Sequence, residues 1–407
     1  MTLPQYTPVP VWHPTISEVD DSSPPDASNW NPGTQGLADN CEFLFSNRTH
    51  AALNWYPQVP STDLTASSLI GACAWDPEVR RWLALTFVNG GTPLSQVVAS
   101  YGTDQGAQWS TVGGTVLPGA AITVSAVCAD PATPGTAWQA LGTGTDLHVY
   151  YFNGATWNVA RNPARVPNDV QMATLGNVVV FAASYTDGTP SSDIYGSSNH
   201  GSTWFGSSGF PAAIAWFLKS NGLPPPGVGG AGMLIAMPAF EPQTTFDYWI
   251  SFDGLAWALQ HFAALDGGVQ KVMGLAWTRD ALGPCWIATV QVTTTTTAIY
   301  RSPDGIGWAL VGPGPTAHRP QSELAGLPTG ELVSMTVELT PSSAAEQLWS
   351  PDSGASWYAA QAHFSGNLAV GTGYTRPRVV SSDIGFLAWN TEWIRFSHLT
   401  GLPPKLT

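Results

Sequence analysis

Apolar and β-branched residues gather in short runs separated by clusters of Gly, Pro, Asn, Asp and Ser, the pattern of strands joined by turns. In one unit SLIGACAW is followed by RRWLALTFV, SQVVASY and, after a turn, AQWSTV. In a later unit VMGLAW, CWIATVQV and TAIYRS precede a turn and GWALVG follows it. The same order of four strands recurs. The threonines at 293–297 read as the end of a β-branched strand and its loop.

One turn signature marks the units. GTDQGAQW carries Asp104, Gly106 and Trp109, YFNGATW carries Asn153, Gly154 and Trp157, and SSNHGSTW carries Ser197, Asn199, Gly201 and Trp204. SFDGLAW carries Ser251, Asp253, Gly254 and Trp257, SPDGIGW carries Ser302, Asp304, Gly305 and Trp308, and SPDSGASW carries Ser350, Asp352, Gly354 and Trp357. The tryptophans stand 48, 47, 53, 51 and 49 residues apart, a period that marks a repeat protein. Glycine supplies the positive φ of a tight hairpin, and the Asp or Asn before it accepts backbone N–H bonds. Serine does the same more weakly, and tryptophan opens the next strand and wedges the hairpin against the following unit.

Four strands per unit of about fifty residues predict an all-β fold, a seven-bladed β-propeller of four-stranded blades over 51–407. Six marked units cover about 69–362. The stretch 366–398 forms an incomplete seventh, which AALNWYPQV at 51–59 is expected to complete as a strand, closing the ring from both ends. Residues 1–50 fit no blade. They predict an extended arm, rich in Pro, Ser and Asp, with one short helix in which Leu37, Cys41 and Leu44 make an apolar stripe.

Composition narrows the function. With 14 Lys+Arg against 28 Asp+Glu the net charge is −14, which disfavours nucleic acid as a partner. No apolar run is long enough to span a bilayer, and MTLPQY lacks the features of a secretory signal. The four cysteines, Cys41, Cys73, Cys128 and Cys285, read as small buried hydrophobes. The eight histidines show no metal-ligand spacing, so no metal and no cofactor is expected, and His200 reads as an exposed turn residue. Five carboxylates stand out, Asp76, Asp130, Glu241, Asp247 and Asp280, of which Asp76 and Asp130 precede proline and read as turn formers. No catalytic constellation emerges. Phe246, Tyr248 and Trp249, near the loop NGLPPPGVGG, form a candidate contact surface for sugar or protein.

The turns resemble the Asp-box (bacterial neuraminidase repeat) motif Ser-x-Asp-x-Gly-x-x-Trp, which Ser350, Asp352, Gly354 and Trp357 match in full. The resemblance implies a propeller whose turns lie on the blade periphery, and it implies no single activity. A sialidase would need an arginine cluster, and Arg376 and Arg378, the nearest approach to one, read as surface charges of the closing blade. The segment EVDDSSPPDASNWNPGTQGLADNCEFL is similar to one near the N-terminus of phage tail-fibre and related virion proteins. Val19, Asp20, Ala27, Asn31, Gln35, Leu37, Ala38, Asp39 and Leu44 carry that likeness, although Asn40 stands where arginine is usual. It implies a docking arm, centred on Gln35, Leu37, Asp39 and Leu44. The expected function is accordingly a non-enzymatic virion protein of a phage tail, a fibre, host-attachment or decoration component. Its partners would be other tail proteins in a symmetric multimer and a host-surface glycan or protein. The alternative is a glycan-binding or sialidase-like glycoside-hydrolysing propeller.

Overall fold

The computed structural model describes residues 55–57, 68–88, 96–102, 109–116, 122–130, 132–187, 191–210, 215–222, 232–293, 296–314, 320–336, 346–359, 378–382, 385–389 and 394–398. The chain divides into two units, Met1–Asn54 with Leu399–Thr407, and Trp55–His398. Every described residue belongs to the second. The arm, its helix, Asp104 and Gly106 lie outside the described residues.

The second unit is all-β. Among the described residues it holds seven antiparallel sheets of four strands each, one 3-10 turn at Ala263–Leu265 and no α-helix. In chain order, sheets I to VI span 68–116, 122–161, 167–210, 215–261, 271–313 and 320–359. Within each, consecutive strands pair as successive hairpins. Sheet VII differs. Arg378–Ser381, Gly385–Trp389 and Ile394–His398 are joined at the edge by Trp55–Pro57, whose Trp55 lies opposite Ser397. This sheet therefore draws strands from both ends of the unit, held by backbone hydrogen bonds.

The first strands of the sheets are Ser68–Asp76, Ile122–Ala129, Pro167–Leu175, Ala215–Ser220, Lys271–Asp280, Pro320–Gly326 and Arg378–Ser381. Each touches the first strand of the next sheet, I on II through VI on VII, and that of VII touches that of I. Five carry an irregularity near the start, between Ile70 and Ala72, Ile122 and Val124, Pro167 and Asp169, Val272 and Gly274, and Pro320 and Leu324. Such bulges bend a strand and increase its twist, which suits strands that converge at one place.

The core lies between sheets. The second strand of sheet III, VVVFAASY, is buried at all eight positions. Val179, Phe181, Ala183 and Tyr185 meet Trp138, Leu147 and Val149 of sheet II, while Val178, Val180 and Ala182 meet Trp216, Leu234 and Ala236 of sheet IV. Alternate side chains point to opposite faces of a strand, so a strand covered on both faces reads as an unbroken apolar run. Comparable two-sheet clusters join I to II, IV to V, V to VI and VII to I. Cys73, Cys128 and Cys285 are buried free thiols in these clusters, and burial raises the pKa of each, which keeps the thiolate scarce.

Candidate functional sites: the hairpin turns and the central cavity

Each repeated turn is closed by its own polar side chains. In sheet IV, Asp253 accepts from the N–H groups of Leu255 and Ala256, both at 2.8 Å. Ser251 donates to Asp253 at 3.1 Å and accepts from Gly254 N–H at 2.8 Å. Sheet V repeats this, with Ser302 donating to Asp304 at 3.0 Å and Asp304 accepting from Ile306 and Gly307 at 2.9 Å each. In sheet VI, Ser350 donates to Asp352 at 2.9 Å and accepts from Gly354 at 2.8 Å, while Asp352 accepts from Ser356 N–H at 2.7 Å. Asn199 of sheet III accepts from Thr203 N–H at 2.9 Å, and Asn153 of sheet II from Ala155 and Thr156 at 3.0 and 2.9 Å. The four motif serines are buried, and Ser197, Ser251 and Ser350 both donate and accept, so the serine contributes more to the closure than its type suggested. Burial opposes ionisation of Asp253 and Asp304, but the backbone N–H bonds and the serine hydroxyl outweigh it and hold both carboxyls below their ordinary value.

The motif tryptophans lean toward the preceding sheet in the cyclic order, in which sheet VII precedes sheet I. Trp109, Trp157, Trp204, Trp257, Trp308 and Trp357 each join the apolar cluster shared with the preceding sheet, not the following one. Trp204 Nε1 donates to Ala160 O of sheet II at 3.3 Å, and Trp308 Nε1 to Tyr248 Oη of sheet IV at 3.1 Å. The turn glycine explains the direction. A Cβ on Gly254 would lie 2.7 Å from Val178 of sheet III, one on Gly201 2.7 Å from Ala160 of sheet II, and one on Gly354 2.9 Å from Ile299 of sheet V. With the turn pressed against the preceding sheet, the indole three residues later meets the same neighbour.

A second constellation occupies the place where the first strands meet. A cavity of about 490 Å³ is lined by the first strands of all seven sheets, with Ala72, Ala126, Ala173, Leu275, Ala325 and Val379 among its walls. Four sheets send polar side chains to it. Lys219 Nζ of sheet IV lies 3.5 Å from Glu323 Oε1 of sheet VI. Arg378 of sheet VII lies 3.7 Å from Asp169 of sheet III, whose other oxygen accepts from Trp216 N–H at 3.2 Å. Gln171, its amide oriented to suit both neighbours, donates to Glu323 at 3.3 Å and accepts from Arg378 at 3.2 Å. Burial raises the Asp169 pKa, and the Arg378 charge and the Trp216 N–H only partly offset it. Two cations and two carboxylates thus form one network joined through a glutamine, in which Gln171, Lys219, Glu323 and Arg378 line the cavity and Asp169 pairs with Arg378.

The expected contact surface is corrected. Phe246 and Tyr248 are fully buried and Trp249 is partly covered. Tyr248 donates to Gly305 O of sheet V at 2.8 Å, and burial pushes its pKa up to about 12. In the strand Asp247–Ser251 the alternation sends Tyr248 and Ile250 into the sheet IV–V core, so these side chains serve packing. Arg378 is likewise no surface charge but a half-buried wall of the cavity, and Arg376 lies outside the described residues. His200 is exposed in part and engaged, 3.4 Å from Asp130 and stacked on Tyr151 with ring centroids 5.0 Å apart.

The carboxylates singled out by sequence go to separate tasks. Asp76 accepts from Glu78 and Val79 N–H, and Asp130 from Ala132 N–H, both in turns. Asp247 pairs with His261 at 3.1 Å, and Asp280 with Arg301. Asp169, Gln171, Lys219 and Glu323 were missed. The available signal was a charged or amide residue inside an otherwise apolar first strand, as in AWFLKS.

No family model matches the chain, and no curated protein matches it. Among solved structures, it is similar to Sqt1 of Saccharomyces cerevisiae, at 10% identity and a TM-score of 0.48, covering 85% of this chain and 98% of that one. It is also similar to a protein of unknown function from Dyadobacter fermentans, at 11% identity and a TM-score of 0.44, covering 82% of this chain and 95% of that one.

Proposed function

We propose that the unit Trp55–His398 is a seven-bladed β-propeller with Asp-box turns, and that the protein is a non-catalytic structural or host-attachment component of a phage tail, docked by its N-terminal arm. The cyclic order in which the seven first strands touch one another supports the propeller, as does the seventh sheet built from both ends. Such closure leaves no first strand with a bare side.

The use of the turn carboxylates carries the non-catalytic reading. Asp253, Asp304 and Asp352 are each bonded to a buried serine and to backbone N–H groups of their own hairpin. A carboxylate so committed, in units about fifty residues apart, acts as a structural lock rather than as one member of a catalytic pair. The docking role rests on the likeness of residues 19–44 to virion attachment segments.

Mass spectrometry of purified particles should find the chain at a fixed stoichiometry, and a chain lacking residues 1–50 should be absent from them. Particles that retain the truncated chain would refute docking through the arm. Turnover of sialosides or bacterial polysaccharides, abolished by Glu323→Gln, would refute the non-catalytic reading.

A further inference from the structure

We propose that the central cavity binds a neutral, multiply hydroxylated small molecule of monosaccharide size, held by Gln171, Lys219, Glu323 and Arg378. This goes beyond the docking role and does not depend on it. The volume, about 490 Å³, falls within the range of small-molecule sites, roughly 300–1,000 Å³.

The polar groups bond to one another only at long range. Charge-assisted hydrogen bonds shorten to about 2.7–2.9 Å where geometry permits. Here the contacts are 3.5 Å for Lys219 with Glu323 and 3.7 Å for Arg378 with Asp169. The backbones of four sheets hold the side chains at this spacing, so the pairs are weak and leave donor and acceptor capacity on Lys219, Arg378 and Glu323 for a ligand hydroxyl. Glu323 receives both Lys219 and Gln171 on the same oxygen, Oε1.

The charge balance selects the ligand. An anion would have to displace Asp169 and Glu323 from the two cations, and a cation would have to displace Lys219 and Arg378. An apolar molecule would strip water from three charged groups without replacing its hydrogen bonds. A hydroxyl both donates and accepts, so a ring of hydroxyls can donate to the Glu323 carboxylate while accepting from lysine, arginine and the glutamine amide.

The test is a titration of the full-length protein by calorimetry and ligand-observed NMR. The probes are glucose, galactose, mannose and N-acetylglucosamine, with N-acetylneuraminic acid as the anion and alanine as the zwitterion. At least one neutral sugar should bind with a Kd of about 1–10 mM, a range usual for a single small ligand making a few hydrogen bonds. Gln171→Leu should weaken it by about tenfold or more. Lys219→Met, on a different sheet, should do the same, so the result stands if one variant fails to fold. The proposal fails if no neutral sugar binds at tens of millimolar, if only the acid or the zwitterion binds, or if both folded variants bind as the parent does. Association with particles is read separately, so either proposal can fail alone.

Discussion

The long and short versions of the repeated turn solve one packing problem in two ways. The turns of sheets IV and V have seven residues, and their glycines, Gly254 and Gly305, adopt φ of 73° and 70° against the preceding sheet. The turns of sheets III and VI have eight. Their glycines, Gly201 and Gly354, do the same at 79° and 96°, but an additional residue before each also takes a positive φ, His200 at 53° and Ser353 at 57°. That residue becomes an inter-sheet contact. Ser353 donates to Arg279 O of sheet V at 2.8 Å, and His200 reaches Asp130 of sheet II. A long turn supplies a polar bridge from its own additional residue and accepts backbone strain to do so, whereas a short turn has no such residue, and that of sheet V is bridged instead by Tyr248 of sheet IV.

Breaking the shape lock should have the largest effect. Gly254→Ala combines a positive φ with a Cβ 2.7 Å from β-branched Val178 and should destabilise by about 2–4 kcal/mol in urea unfolding. Gly154→Ala is the control. Its φ is 93° but nothing lies within 4 Å of the new Cβ, so only the backbone cost of about 1 kcal/mol should appear. Equal losses at the two sites would mean that glycine serves conformation only.

Next in size is the bridge of the long turn in sheet VI. Ser353→Ala keeps the strained φ but removes bonds to Arg279 O and Gly330 O, so unfolding should become easier by about 1–2 kcal/mol. His200→Gly in sheet III should be nearly neutral, within about 0.5 kcal/mol, because the relieved φ offsets the loss of a half-exposed pair. A large loss there would show the His200–Asp130 contact to be stronger than its exposure implies.

The smallest effect concerns acid. Asp253 titrates below its ordinary 3.8 when folded, so its carboxylate adds stability above that value and loses it as pH falls through the folded pKa. Asp253→Asn gives sheet IV the acceptor that Asn199 already supplies in sheet III. Acid unfolding of the variant should therefore be slightly flatter below about pH 4, with little change at neutral pH. A steeper acid limb would contradict the lowered pKa.

The turns and four-strand units were legible because their determinants are local. Gly254, Asp253 and Ser251 lie within four residues, and a hairpin needs little else. The backward lean of the tryptophans was not legible, since Trp308 meets Tyr248, sixty residues earlier in the chain, only after two sheets have packed. Tyr248 was misread for a related reason. Aromatics beside a proline-rich loop look exposed, yet the alternation of DYWIS places Tyr248 and Ile250 inward once sheet V covers that face. Arg378 looked like a surface charge because Asp169, its partner, lies more than two hundred positions away.

By itself the sequence determined where the chain turns and how many strands lie between turns, because positive φ, Asx-type bonds and strand runs are settled over a few residues. Only the tertiary structure decided which side chains share the central cavity. Gln171, Lys219, Glu323 and Arg378, with Asp169 paired to Arg378, come from four sheets and meet only where the first strands converge, and no local pattern encodes that convergence.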